Sequence, residues 1–192
     1  MPCDERVLNR KTSWVMMVAA ALVAVFSVGC AASGIKNTPL DEPPALIVQS
    51  GNMGIGWVVG KNKWNGSVYD RPDDLQCLMA DKTIDDLDYV KNGEQITFKF
   101  DGIAPDSFVL TEYILRENGD AKYNIYGMEY DICSNPGGHV FTVKPNYATA
   151  FSSSSWDYAP GNTIKGYRLV CSWGRNECEY AFIIRGDAAI TM

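Results

Sequence analysis

The closing stretch, Gly166–Ile184, constrains the fold more than any other part of the chain. In its first run Tyr167, Leu169, Cys171 and Trp173 fall on every second position. In its second run Cys178, Tyr180, Phe182 and Ile184 do the same. A period of two sends alternate side chains to opposite faces, so each run is a strand with one aromatic-rich face. Keeping both sets inward requires an even loop, either Gly174-Arg175 as a tight turn or Gly174–Glu177 as a four-residue one. In either register Cys171 and Cys178 share a face, opposite each other or one step diagonal.

The same period recurs upstream. Ile96, Phe98 and Phe100 alternate with Thr97 and Lys99, and Ser107–Arg116 makes a long strand that stops at the turn pair Asn118-Gly119. Ala45–Val48, Ile55–Val59, Tyr123–Asp131 and His139–Val143 are further strand candidates, with Ser134–Gly138 as a loop. Between residues 60 and 92 the pattern is irregular. Asn65-Gly66 marks a turn, Leu75–Met79 reads as a short strand or helical turn, and Thr83–Val90 as a short helix capped by Thr83. Tyr147–Asn162 is polar and Ser-rich, a long surface loop. Seventeen glycines, ten tyrosines and five tryptophans with no strand–helix–strand rhythm point to β structure. The expectation is an all-β, immunoglobulin-like two-sheet antiparallel sandwich.

Ahead of that domain lies Val15–Cys30, an apolar run ending in Gly29-Cys30. Arg6, Arg10 and Lys11 precede it, and Trp14–Val28 carries no charge. A basic lead, a short apolar run and small residues at its end make a secretory signal. The run falls short of the roughly 20 residues a spanning helix needs. Ser27-Val28-Gly29-Cys30 resembles a bacterial lipobox, with Ser27 where that family usually has Leu. The resemblance implies cleavage before Cys30 and acylation of its thiol, because the peptidase takes a small residue before an obligatory cysteine. Acyl chains contribute about 0.8 kcal/mol per buried methylene, so a multiply acylated Cys30 would hold the protein at a membrane. The competing reading is an uncleaved signal anchor with an incidental cysteine. The implied location is the extracytoplasmic face of the cell membrane, or the outer membrane in a cell that has one. The parts are then a signal peptide over 1–29, lipidated Cys30 with a Pro-containing tether to 44, a β domain over 45–187 and a tail over 188–192.

The chain has a net charge of −6, and the leader takes three basic residues with it against two acidic ones. An acidic domain on an anionic surface argues against nucleic acid and against direct binding to lipid headgroups. With Cys3 removed and Cys30 acylated, Cys77, Cys133, Cys171 and Cys178 remain. An even number in an exported chain points to two disulfides, Cys171–Cys178 and Cys77–Cys133 among three connectivities. A zinc site needs closely spaced pairs, and no C-x₂₋₄-C occurs.

Several segments look like a group of uncharacterised single-domain surface lipoproteins from Gram-positive gut bacteria. They are Leu46-Ile47-Val48-Gln49-Ser50-Gly51, Trp64-Asn65-Gly66, Ile96-Thr97-Phe98-Lys99-Phe100, Pro105-Asp106-Ser107 and Trp173-Gly174…Tyr180-Ala181-Phe182. The resemblance implies a lipobox, a Pro-containing tether and one β-rich domain closed by such a hairpin. It carries no catalytic residue, and the hairpin cysteines are not part of its pattern.

Catalytic and metal signals are sparse. His139 is the only histidine, so a Ser/His/Asp triad could draw only on Ser152–Ser155, His139 and Asp157. Asp81, Asp85, Asp86 and Asp88 cluster without the glycine and spacing of a calcium loop. Glu112, Glu129 and Asp131 lie on strand candidates and could face one another like glycosidase carboxylates. Nothing implies a cofactor or a metal. Trp57, Trp64, Tyr69, Tyr147, Trp156 and Tyr158 lie near loops, where rings can stack on sugars or anchor a protein. Trp64, Tyr69, Trp156 and Tyr158 are the candidate contacts. The leading expectation is a non-catalytic, lipid-anchored domain that binds an envelope glycan or a protein partner. The alternatives are a cell-wall or glycan-acting enzyme using a carboxylate pair, and a structural subunit of a membrane complex.

Overall fold

The computed structural model describes residues 41–124 and 127–188. The expected signal peptide, Cys30, the expected tether as far as residue 40 and the tail from residue 189 lie outside the described residues.

Two antiparallel sheets pack face to face as a β-sandwich. The first has the order β2-β1-β5-β9-β8, from β1 (Leu46–Ser50), β2 (Met53–Ile55), β5 (Gln95–Phe100), β8 (Cys133–Asn135) and β9 (Gly138–Thr142). The second has the order β4-β3-β11-β10-β6-β7, from β3 (Trp57–Trp64), β4 (Ser67–Tyr69), β6 (Ser107–Leu115), β7 (Met128–Glu129), β10 (Thr163–Trp173) and β11 (Asn176–Gly186). The inward residues of the alternating runs form the core: Leu46, Val48, Ile96, Phe98 and Phe141 meet Leu110, Leu169, Tyr180, Phe182 and Ile184. Tyr167 and Phe182 are opposite on the central hairpin and stack at 4.9 Å.

The outer face of the second sheet is also covered. The short helix α1 (Asp74–Met79) lays Leu75, Leu78 and Met79 on Leu115, Ile164, Ala181 and Ile183, with Ile84 and Leu87 beside them. Buried Asp74 locks it in place: its two oxygens accept from Arg168 Nη2 at 2.6 Å and Nε at 3.2 Å. Leu75–Met79 is therefore helical. The span 83–90 keeps only a 3₁₀ turn at Ile84–Asp86, and among the described residues of 123–131 the strand is β7. Residues 147–162 hold two 3₁₀ turns, Tyr147–Phe151 and Ser155–Tyr158. The expected strand at Ile55–Val59 is split, because the chain crosses from one sheet to the other at Gly56. Among the described residues no helix is long and apolar enough to cross a membrane.

The expected disulfides are corrected. All four cysteines of the described residues are free. Cys77 lies on α1, outside the second sheet, and Cys133 lies on the edge of the first. Stacked sheets are about 10 Å apart, beyond the roughly 7 Å between Cα atoms that a bridge tolerates. Cys171 and Cys178 are directly opposite and fully buried. The turn between them is the tight Gly174-Arg175, with positive φ at Gly174. Counting back from that turn puts the two cysteines in a hydrogen-bonded pair, whose Cβ atoms stand about 5.5 Å apart, wider than the roughly 3.5–4.5 Å of a disulfide. Burial pushes both thiols up, Cys178 to about 12.

Candidate functional site

At one end of the second sheet the strands β6 and β10 run out beneath the 147–162 segment. Ile114 and Leu115 from β6 and Ile164 from β10 form an apolar floor. Lys122, Asp157, Ser152 and Asn162 supply polar walls, and Tyr123 and Trp156 supply aromatic ones, around a cleft of about 250 Å³. A shallower recess continues from it to Phe151, whose ring lies 6.2 Å from that of Tyr123.

The segment over the cleft is braced from within. Asn146 caps the first 3₁₀ turn by accepting from the Ala148 N–H at 2.9 Å. Thr149 Oγ1 donates to the Asn146 carbonyl at 2.7 Å, and Asn162 Nδ2 to the Trp156 carbonyl at 3.0 Å. Tyr158 Oη donates to the carbonyls of Thr149 and Ser152 at 3.1 and 3.0 Å. Asp157 is the hub: Lys122 Nζ donates to its Oδ2 at 2.5 Å, and Ser152 Oγ donates to the same oxygen. Burial raises the Asp157 pKa, but these two hydrogen bonds and the Lys122 charge outweigh that and hold it below the usual carboxylate range. So fixed, the segment presents Trp156 with half of its surface (50%) open to solvent. An apolar floor, a flat half-open ring and a fixed ion pair offer one dry face and one polar edge. That combination suits a small ligand with both characters, such as a sugar ring.

The other aromatics named from sequence are dispersed. Trp64 is only 5% exposed and packs edge-on against Trp173 at 5.4 Å, so it belongs to the core. Trp57 packs edge-on against Tyr180. Tyr69 is exposed on the edge strand β4, and Tyr158 is exposed with its hydroxyl committed to the loop. Tyr147 is exposed beside the cleft segment.

The carboxylates are not brought together. Glu112 and Met128 are opposite and face the core, whereas Glu129 is opposite Thr111 and faces the other side. Asp131 is fully exposed and pairs loosely with Lys144 at 3.7 Å. His139 packs on Phe98 and Phe108, and Ser134 Oγ lies 2.9 Å from its Nδ1; burial lowers its pKa. It meets β6 at Phe108, while the cleft begins at Ile114, about 20 Å further along the strand. Ser152 and Asp157 thus meet Lys122, not His139. Asp86 serves the local turn by accepting from Thr83, and Asp85 pairs with Arg185. Among the described residues no three His, Cys, Asp or Glu side chains converge as metal ligands would.

A second polar group lies inside the sandwich, and sequence reasoning missed it. Glu112 and Lys165 have no exposed surface. Glu112 Oε2 accepts from Tyr130 Oη and Tyr167 Oη at 2.6 Å each, and Oε1 accepts from Asn146 Nδ2 at 2.8 Å. Lys165 Nζ lies 3.7 Å from that Oε1 and donates to the Lys144 carbonyl at 2.7 Å and to Asn92 Oδ1 at 3.2 Å. The signal was present: Lys165 is in phase with Tyr167 and Leu169, and Glu112 with Leu110 and Ile114.

No family model, curated protein or solved structure matches the chain.

Proposed function

We propose that the protein is a lipid-anchored, non-catalytic binding module on the extracytoplasmic face of the membrane, taking a sugar unit of an envelope glycan in the Trp156 cleft. The observation that carries the reading is the half-exposed Trp156 lining one cleft with apolar Ile114, Leu115 and Ile164 and with the Lys122–Asp157 pair. Sugar rings have an apolar C–H face and a hydroxyl edge, and the cleft offers a partner to each. Attachment through acylated Cys30 rests on the lipobox resemblance, with residues 30–44 lifting the domain from the bilayer. Glu112 is buried in the core while Glu129 faces the other side of the sheet and Asp131 is exposed, which favours binding over hydrolysis by a carboxylate pair.

An immunoglobulin-like connectivity is part of the same reading. The order β1-β5-β9-β8 parallels A-B-E-D of that fold, and β11-β10-β6 parallels G-F-C. The departure is β3, which pairs antiparallel with β11 after the β1–β2 hairpin reverses the chain.

The test is retention of the protein on insoluble peptidoglycan and polysaccharides. Wild type is expected to be retained, with Trp156→Ala reducing binding at least tenfold and Tyr69→Ala leaving it unchanged. Absence of retention on every matrix overturns the glycan reading and directs the search to protein partners.

A further inference from the structure

We propose that Lys165 and Asn92 become joined by an isopeptide bond that the folded chain makes for itself, with Glu112 carrying the proton. Three groups that such a reaction requires meet in the interior: an amine, a carboxamide and a carboxyl group. Lys165 Nζ donates to Asn92 Oδ1 at 3.2 Å, which sets the amine beside the carboxamide whose carbon it would attack. On another side of the same nitrogen lies Glu112 Oε1 at 3.7 Å.

The surroundings favour the uncharged amine that attack requires. Lys165 is wholly enclosed, and burial lowers its pKa against the opposing pull of Glu112 and Asp187. Glu112 is fixed by Tyr130, Tyr167 and Asn146, so it cannot swing away from the amine. Phe141, packed on Tyr130 and Tyr167, helps to exclude water that would compete as nucleophile. Asn92 is itself held: its N–H donates to Asp187 Oδ2 at 3.2 Å, and its Nδ2 to the Asp187 carbonyl at 3.4 Å.

The reaction balances without a further reagent. The Nζ lone pair attacks Cγ of Asn92, and Glu112 takes the proton that the amine sheds. The Cγ–Nδ2 bond then breaks as Glu112 returns a proton to the departing nitrogen, which leaves as ammonia. One C–N bond forms, one breaks, and nothing is oxidised or reduced. The product ties β10 of the second sheet to the loop that leads into β5 of the first.

The test is peptide mapping of the full chain after denaturation, reduction and digestion with trypsin. The expected product is a branched peptide holding Asn92 and Lys165, lighter by about 17 Da than its two parts, with no cleavage after Lys165. Asn92→Ala, in a half-exposed loop, should abolish the branch while leaving the β-sheet circular dichroism intact. Glu112→Gln should leave the two peptides linear. Linear Asn92 and Lys165 peptides from the folded wild type overturn the proposal, as does a branch through Asn146. A Glu112→Gln chain that links as completely as wild type removes Glu112 from the reaction.

Discussion

At Glu112 a carboxylate sits where the strand pattern calls for an apolar side chain, and each of its oxygens has a partner. Two tyrosine hydroxyls and an asparagine amide donate to it, and Lys165 Nζ lies 3.7 Å from its Oε1. Such a group is costly to bury alone and tolerable when satisfied. Glu112→Ala strands the Lys165 ammonium and three donors in the core. It should cost about 3–5 kcal/mol in urea unfolding. Tyr167→Phe removes one donor to a charged acceptor and should cost about 1.5–3 kcal/mol in the same measurement. An effect under 0.5 kcal/mol for Glu112→Ala would mean that the network is solvated. The phase of both charged residues was legible in the sequence. Their partners were not, because Tyr130, Asn92 and Asn146 come from loops and strand ends whose approach only the packed sandwich fixes.

At the level of elements, the two strands of the long hairpin and their inward faces were legible, since strict alternation admits only an even turn, although two such turns fitted. Short elements were less so. Residues 123–131 read as a strand by composition, yet among their described members only Met128 and Glu129 form ladder pairs with β6. The helix α1 is too short to nucleate on propensity and depends on the Arg168–Asp74 pair and its apolar face. The Asn118-Gly119 turn presses against this helix. Gly119 has φ +84°, and a Cβ there would lie 2.6 Å from the Gln76 Cα. Gly119→Ala should therefore lower stability by about 2–4 kcal/mol, read from denaturant midpoints.

A second joint lies at the end of β11, where Asp187 accepts from Tyr89 Oη at 2.7 Å, the Gly161 N–H at 3.1 Å and the Asn92 N–H at 3.2 Å. Burial raises its pKa, but those hydrogen bonds and Lys165 more than offset this and leave it below the usual value. Its contribution is therefore present above the unfolded carboxyl pKa of about 3.9 and is lost as pH falls through the folded value. Asp187→Asn should show a smaller drop in Tm than wild type between about pH 5 and pH 2. Parallel curves for the two proteins would remove Asp187 from the acid response.

Over the whole domain, the two sheets and the helix layer sort the cysteines into two environments. Sequence counted four and paired them by parity, which holds only if topology brings the partners together. It could not show that Cys77 rides on a helix outside the second sheet while Cys133 lies on the far edge of the first. Nor could it choose between the tight and the longer turn, on which the spacing of Cys171 and Cys178 depends. A thiol reacts as its thiolate and only where reagent can reach it. Cys77 and Cys133 are exposed, whereas Cys171 and Cys178 are enclosed and their thiols pushed up by burial. Brief treatment of the native protein with iodoacetamide at pH 8, read by peptide mass, should modify Cys77 and Cys133 and leave Cys171 and Cys178 unmodified until urea opens the sandwich. If Cys171 and Cys178 resist alkylation even in urea until a reductant is added, the hairpin carries a disulfide and its two strands must shift to make one. Reaction of both in the native protein would instead mean that the hairpin opens on the timescale of labelling, and that the core around Tyr167 and Phe182 does not hold as a closed unit.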